Sequence, residues 1–229
     1  MSQLTLFSII AEERRHQTPP IVIKERYERI AITNRPEFDY AAKLHYIMND
    51  IVTTLPEFAH INMERVYVAT KKTRKRSNYG MQANIQALRF QDGSPYCSKK
   101  GYTWYWPDVY LNDKQLYYII NVFLPRFHNH SFHYKIQTLI HELYHISPFC
   151  NGDIRTFGKK RSAHGHSKKK FHLHMSEITD RYLSTVTDMT HFQFLRNSFQ
   201  YLKRKYSLVL RNVRGMRPVL IKQPAVYTQ

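Results

Sequence analysis

The segment from residue 132 to 146 most constrains the fold, because an apolar helical stripe and a cluster of polar side chains share it. Its large apolar side chains recur at intervals of three and four residues, at Phe132, Ile136, Leu139, Leu143 and Ile146. This spacing predicts an amphipathic helix that buries one face, and Pro148 ends it. The rest of the chain must therefore supply elements that cover this face.

The same segment contains the HExxH sequence His141-Glu142-Leu143-Tyr144-His145. The i, i+4 spacing places both imidazoles on one helix face, where they can bind a single zinc ion. Glu142 lies about 100° around the helix, within reach of a water on the metal. Zinc lowers the pKa of such a water towards about 7, and a glutamate can accept its proton as it attacks a carbonyl. HExxH also arises by chance on surface helices, but buried histidines beside an apolar stripe would be costly without a metal.

A catalytic zinc site needs a third protein ligand. The metzincin pattern is excluded, because it requires Gly at 148 and His at 151, where the chain has Pro148 and Asn151. Gluzincins take a glutamate from the next helix. Glu177 lies on such a predicted helix, but Asp180 follows it after three residues rather than four.

Two histidines offer another third ligand. His164 and His166 stand just before Ser167, a residue typical of a helix N-cap. Five further histidines are interpreted as surface or packing residues: His128, His130, His172, His174 and His191. At this point His164, His166 and Glu177 all remain open as the third ligand.

The span from Thr138 to Met175 resembles the SprT-like metallopeptidases, with HExxH, a loop, and His-Gly ahead of a helix. The longer stretch, from Leu124-Pro125-Arg126-Phe127 through HELYHISPFCNGDIR, is more similar to a family of metallopeptidases from phages and prophages. The resemblance covers roughly residues 85–190. It implies a zinc peptidase that acts on proteins attached to DNA, with the His of His-Gly as third ligand. That residue is His164. Phe171, however, follows it by seven residues instead of the usual four, which favours His166.

Two loop residues between the ligands are candidates for supporting roles. Asp153 could accept a hydrogen bond from a ligand histidine, and Arg155 could stabilise an oxyanion. A solvent-facing salt bridge within the loop is an equally good interpretation.

The charge balance indicates a polyanionic partner. The chain has 35 Lys and Arg against 17 Asp and Glu, a formal charge of +18. Nucleic acid, most simply DNA, is favoured, with Lys168, Lys169 and Lys170 as predicted contacts beside the site. A solvated basic surface is the alternative. The aromatic run 102–106 either stacks on unpaired bases or lies buried under the strand predicted at 116–124.

Other features favour a cytoplasmic protein with no membrane partner. The N-terminus lacks the basic residues of a signal peptide, and no apolar stretch reaches about eighteen residues. Cys97 and Cys150 form neither a CxxC pair nor a disulfide framework.

These patterns together predict an α+β, zincin-like fold: a small, mostly antiparallel sheet packed on the HExxH helix and a second helix. Strands are expected at 65–70 and 116–124, and helices at 37–55, 132–146, from Ser167, and at 192–206. We expect a leader at 1–35, a metallopeptidase domain at 36–206 and a basic tail at 207–229. The predicted activity is peptide-bond hydrolysis; the alternative is a nucleic-acid-binding module with a purely structural zinc closed by a fourth ligand.

Overall fold

The computed structural model describes residues 18–30, 34–73, 79–158, 163–165 and 167–222. The strands are β1 Ile21–Val22, β2 Arg26–Ile30, β3 Glu37–Asp39, β4 Val66–Lys72, β5 Ala83–Ala87, β6 Tyr96–Lys99, β7 Tyr102–Tyr105, β8 Val109–Leu111, β9 Lys114–Leu116, β10 Tyr118–Leu124, β11 Ser207–Asn212 and β12 Val219–Lys222. The α-helices are α1 Tyr40–Thr54, α2 Phe132–Tyr144, α3 Lys168–Thr185, α4 Gln193–Arg196 and α5 Phe199–Lys205. The chain is therefore α+β, as predicted.

Side-chain caps fix where the three long helices begin. Asp39 accepts a hydrogen bond from the backbone N–H of Ala42 at the start of α1. Ser131 caps α2, and Ser167 caps α3 by accepting from Lys170. Each cap satisfies a backbone donor that the first helical turn leaves unpaired. The N-cap predicted at Ser167 is confirmed.

The central sheet has the order β4–β10–β5 and supports the HExxH helix. β10 runs parallel to β4 and antiparallel to β5, so β5 lies at an edge of this sheet. One face packs against the helices in the main core, where α2 buries Ile136, Leu139, Ile140 and Leu143. The opposite face buries Ile119 with Trp106 in a smaller cluster. The apolar stripe of α2 thus lies between the sheet and the other helices.

The prediction of a single small sheet is wrong. The described strands form four three-stranded sheets, and the other three have the orders β2–β11–β3, β1–β8–β9 and β12–β7–β6. Most of the described strand pairs are antiparallel. The strand expected at 116–124 is divided, because Leu116 ends β9 and Tyr118 begins β10.

The helix predicted over residues 192–206 is also wrong as one element. A 3-10 turn at Thr190–Phe192 leads into α4, and α5 follows as a separate helix. Asn197 adopts an extended backbone, with ψ of 160°, and ends α4. Ser198 then caps α5 by accepting from Tyr201. The Ser198 side chain competes with helical carbonyls for a backbone N–H group, which explains the break between α4 and α5.

Strands from the predicted leader and tail pair with the rest of the fold. β2 lies in the 1–35 segment and pairs with β11, which lies in the 207–229 segment and also pairs with β3. Leu208 and Leu210 of β11 are buried in the main core. The alternating apolar and polar residues of this segment therefore form a core strand, and the proposed boundaries separate strands that hydrogen-bond to one another. In the described parts of the chain, no helix is long and apolar enough to span a membrane.

Candidate metal centre

Three histidines converge at the C-terminal end of α2. His141 lies in the last turn of the helix, His145 is its C-cap, and His164 comes from the loop that follows. The Nε2 atoms of His141 and His145 are 3.0 Å apart, and those of His141 and His164 are 3.3 Å apart. One ligand atom from each residue lies within 4.8 Å of the others. This cluster can hold a metal ion.

The loop after α2 is fixed to the helix end by backbone hydrogen bonds. The N–H of Arg155 donates to the carbonyl of His145 at 2.8 Å, and Ile146 forms an isolated bridge with Ile154. The hydroxyl of Tyr118, on β10, donates to the carbonyl of Asp153 and accepts from the N–H of Gly152, each at 2.9 Å. The chain after the HExxH sequence is thereby anchored to the central sheet before it returns with His164.

Gly152 permits the sharp turn in this loop. Its φ is +90°, and a Cβ there would lie 2.6 Å from the side chain of Arg89. Only glycine adopts this conformation at little cost. The missing Cβ also leaves room for the side chain of Arg89, which is buried. The turn therefore depends on Gly152, a residue that is not part of the HExxH pattern.

Phe171 covers the histidine cluster from α3. Its ring centroid lies 5.2 Å from that of His141, 4.9 Å from that of His164 and 6.0 Å from that of His145. The phenyl ring is edge-on to two of the imidazoles and nearly parallel to that of His145. It therefore excludes water from one side of the cluster and limits how the imidazoles can rotate.

Burial keeps the imidazoles neutral, which is the form that binds metals. It lowers the pKa of His141 to about 3, with further lowering by the charges of His145, His164 and His172. It likewise lowers the pKa of His145 to about 4, to which the charges of His164 and Arg155 also contribute. The pKa of His164 is lowered mainly by burial too.

The Glu142 carboxyl is buried against the edge strand β5. Its relative exposure is 6%, and burial raises its pKa to about 7. A hydrogen bond from the backbone of Ile85 acts in the opposite direction and favours the carboxylate. The carboxyl is therefore shielded from solvent and held against β5.

The donor set and its spacing fit zinc. Imidazole nitrogens about 2.0–2.1 Å from one zinc ion at tetrahedral angles lie about 3.3 Å from one another. The separations of 3.0 and 3.3 Å at His141 are close to this value. The Nδ1 of His145 is also buried with no hydrogen-bond partner in the described parts of the chain. The fold's own hydrogen bonds therefore leave this ring only partly satisfied.

The structure distinguishes between His164 and Glu177 as candidates for the third ligand. His164 belongs to the cluster, whereas Glu177 lies on α3 with its side chain 65% exposed and 3.9 Å from His174. His166 lies outside the described residues, so its role as the alternative ligand stays a prediction.

The side chains of Asp153 and Arg155 make hydrogen bonds to the backbone of the loop and its neighbours. The Asp153 carboxylate accepts from the backbone N–H groups of Asp92, at 2.8 Å, and Ile154, at 2.7 Å. The Arg155 guanidinium donates to the carbonyl of Ile146 at 3.3 Å and lies 4.5 Å from the centre of the Tyr144 ring. Both residues therefore stabilise the turn that follows His145.

The basic residues near the cluster are exposed. Lys168, Lys169 and Lys170 form the first turn of α3 with their side chains in solvent, and the charge of Lys168 contributes to the lowered pKa of His164. Of the other basic runs, residues 74–76 and 159–161 lie outside the described residues.

Sequence reasoning misses two neighbours of the cluster. The sequence indicates a surface or packing role for His172, yet its ring centroid lies 6.2 Å from that of His141. Ile85 contributes only its backbone to Glu142, so no side-chain pattern could identify it. The one sequence signal for a position of His172 near the cluster is that it directly follows Phe171.

Comparisons of the chain with protein-family models, with curated proteins and with solved structures found no match.

Proposed function

We propose that this protein is a zinc-dependent metallopeptidase that hydrolyses peptide bonds. The observation that carries the proposal is the convergence of three neutral imidazoles, from His141, His145 and His164, next to the buried carboxyl of Glu142. Three protein ligands leave a fourth position of a tetrahedral zinc for water or substrate, as hydrolysis requires. The same arrangement supports a zincin-like fold.

Each residue then has a distinct role. Bound zinc would polarise the scissile carbonyl and lower the pKa of the attacking water. Glu142 would accept the proton of the attacking water and return it to the leaving amine, and a pKa that burial raises to about 7 suits both directions of transfer. Phe171 keeps bulk water away from the imidazoles.

The edge strand β5 provides a place for an extended peptide. Ile85 lies on this strand and hydrogen-bonds to Glu142 through its backbone. A peptide that adds to the edge of β5 would place its carbonyls beside the base without a dedicated pocket, because main-chain hydrogen bonds supply the affinity.

A DNA-bound protein is the substrate that the charge supports best. The net charge of +18 and the exposed Lys168, Lys169 and Lys170 beside His164 would hold a DNA backbone near the metal. This is also the substrate class that the resemblance to SprT-like peptidases implies, and phage or prophage metallopeptidases are the members that the chain resembles most.

Replacement of Glu142 with Gln tests the catalytic assignment. We expect hydrolysis of an unfolded protein substrate to be lost, while zinc content measured by metal analysis stays at the wild-type level. His164→Ala is the matched variant, in which zinc and activity should fall together. Loss of zinc from Glu142→Gln, or retained activity, would contradict the role of this residue.

A structural zinc site is the alternative, and it would require a fourth protein ligand. His166 is the residue to test, because it is adjacent to the described ligand loop. We expect His166→Ala to retain zinc and His164→Ala to lose it. The reverse ranking would transfer the ligand role to His166. Loss in both would indicate a closed, structural site, and loss in neither would point to Glu177.

The DNA contact is tested by salt dependence. The logarithm of the affinity should fall linearly with the logarithm of salt concentration, by about 0.7–0.9 per phosphate contact. Joint replacement of Lys168, Lys169 and Lys170 with Ala should make this slope shallower without changing zinc content. Replacement of Arg204 and Lys205, exposed at the far end of α5, is the control. An unchanged slope in the triple variant would reject this contact.

A further inference from the structure

The β12–β7–β6 sheet presents aromatic side chains to solvent. Side chains alternate between the two faces along β7. Thr103 and Tyr105 face inwards and are only 4% and 2% exposed. Tyr102 is 50% exposed, and Trp104 is half-buried on the same outer face. The sequence leaves two interpretations of this aromatic run, burial or base stacking, and the strand divides it between an inner and an outer face.

The outer face combines these rings with positive charge. The ring centroids of Tyr102 and Trp104 are 6.1 Å apart. Pairing places Lys99 of β6 beside Tyr102, and Leu220 of β12, which is 46% exposed, beside Trp104. Lys100 follows in the exposed turn. The three strands contain no Asp or Glu, so the face has one sign of charge.

A basic cleft adjoins the edge strand of this sheet. It has a volume of about 720 Å³ and lies between residues 21–26 and 213–217. Four cationic side chains and no acidic ones are among the described residues that line it: Lys24, Arg26, Arg214 and Arg217. Arg217 is two residues before the start of β12. The cleft therefore supplies further cations next to the start of β12.

We propose that the outer face of the β12–β7–β6 sheet binds single-stranded nucleic acid. Unpaired bases stack on Tyr102 and Trp104, and Lys99 and Lys100 neutralise the phosphates beside them. One exposed and one half-buried aromatic ring on a positively charged face suit this ligand, because every base has a face that can stack. A duplex keeps its bases paired and stacked on each other, so it can use only the cations. This site is separate from the metal centre and does not depend on peptidase activity.

Tryptophan fluorescence tests the stacking directly. The chain has two tryptophans, Trp104 and the buried Trp106, so Trp106→Phe leaves Trp104 as the only tryptophan, which can be excited selectively over tyrosine. We expect an oligothymidine of about sixteen nucleotides to quench its emission in this variant, and a duplex of equal length to quench it much less. A single-stranded RNA of the same length should also quench it, since stacking does not require a deoxyribose. No quenching by single strands, or equal quenching by duplex, would overturn the proposal.

Binding of the full-length protein, measured by fluorescence anisotropy of labelled oligothymidine, tests the residues. Trp104→Leu should weaken binding by about ten-fold or more, whereas Trp104→Phe, which keeps a ring, should stay near wild type. Tyr46→Ala is the control, because Tyr46 is 48% exposed on α1, away from the sheet. Equal losses in Trp104→Leu and Tyr46→Ala, or no loss in Trp104→Leu, would contradict the stacking role. Thermal unfolding verifies that each variant folds.

The lysines are tested by the salt slope for oligothymidine. Lys100 has a φ of +50°, so Lys100→Asn removes its charge with a residue that tolerates this conformation. Combined with Lys99→Gln, it should make the slope shallower by about 0.7 for each phosphate that the protein no longer neutralises. An unchanged slope would place the phosphates elsewhere and overturn this part of the proposal.

Discussion

Histidines lie at both ends of α2, and their ring nitrogens differ in the partners that they meet. His128 precedes the N-terminus of α2, and His141 and His145 lie at its C-terminus. Burial lowers the pKa of all three rings, to about 4, 3 and 4 respectively. Burial and a lowered pKa therefore do not distinguish a structural histidine from a candidate ligand.

The hydrogen-bond partners make the distinction. The Nε2 of His128 lies 2.8 Å from the carbonyl of Asn197, which can only accept, so this nitrogen is the donor. Its Nδ1 then accepts from the hydroxyl of Tyr40 at 2.6 Å. Nearby, the buried Lys135 donates to the carbonyl of Leu195 at 2.6 Å. These bonds hold the C-terminal end of α4, and His128 has no unused ring nitrogen.

At the other end of α2 the ring nitrogens face one another. The Nε2 of His141 approaches those of both His145 and His164. The Nδ1 of His145 has no partner within the described ranges. Three imidazoles whose nitrogens converge on one another indicate a site for a cation, whereas nitrogens bonded to carbonyl and hydroxyl oxygens indicate a role in packing.

The largest expected difference between the two ends is in zinc affinity. His145→Leu removes one of three ligands and should lower the affinity for zinc roughly a thousand-fold or more. His128→Leu should leave it unchanged. Competition with a chromophoric chelator measures both variants. An equal loss in the two would show that zinc retention reports only on correct folding.

The free energy of unfolding should rank the two variants in the opposite order. His128→Leu leaves the Tyr40 hydroxyl and the Asn197 carbonyl without a partner, which should cost about 2–4 kcal/mol. In zinc-free protein, His145→Leu should change stability by less than about 1 kcal/mol, because it also removes an unpaired buried nitrogen. Urea unfolding in the presence of a chelator gives both values. A larger cost for His145→Leu would contradict the comparison.

The stabilising effect of His128 should disappear in acid. Its pKa is 6.5 when unfolded and about 4 in the folded state, so the unfolded chain binds more protons between these values. The advantage of the wild type over His128→Leu is then complete above pH 6.5 and shrinks as the pH falls towards 4. The slope should reach about 1.4 kcal/mol per pH unit. Parallel stability curves for the two proteins would show that His128 is not held neutral by the fold.

The smallest expected effect concerns Asp153. Because its carboxylate accepts from two backbone N–H groups, Asp153→Asn should lower stability by about 1 kcal/mol. Zinc affinity should change little. A carboxylate that orients a ligand histidine would instead alter affinity by about 10–100-fold when replaced. A change of that size would restore the supporting role that the sequence suggests for Asp153.

The sequence alone predicted those helices whose position depends on a local pattern. The stripe from Phe132 to Leu143 predicted α2, and Ser167 predicted the start of α3, because periodicity and capping are local properties. The i, i+4 spacing likewise predicted that His141 and His145 share a face. His164 lies in the same cluster, and its role as the third ligand stays a prediction.

Long-range pairing could not be predicted in the same way. β11 lies between β2 and β3, strands more than 160 residues earlier in the chain. The alternating apolar and polar residues of β11 are compatible with either a tail or a core strand. Which of the two forms depends on the strands that pair with it. The contact between Ile85 and Glu142 is equally invisible, because a backbone N–H carries no sequence signal.

X-ray absorption at the zinc edge of the purified, zinc-loaded protein counts the imidazoles that bind the metal. We expect three imidazole nitrogens and one further light atom about 2.0–2.1 Å from the metal. His164→Ala should reduce the imidazole count by one, and His128→Leu should leave the spectrum unchanged. Four imidazoles, sulfur scattering at about 2.3 Å, or a spectrum insensitive to His164→Ala would contradict a catalytic site built from His141, His145 and His164.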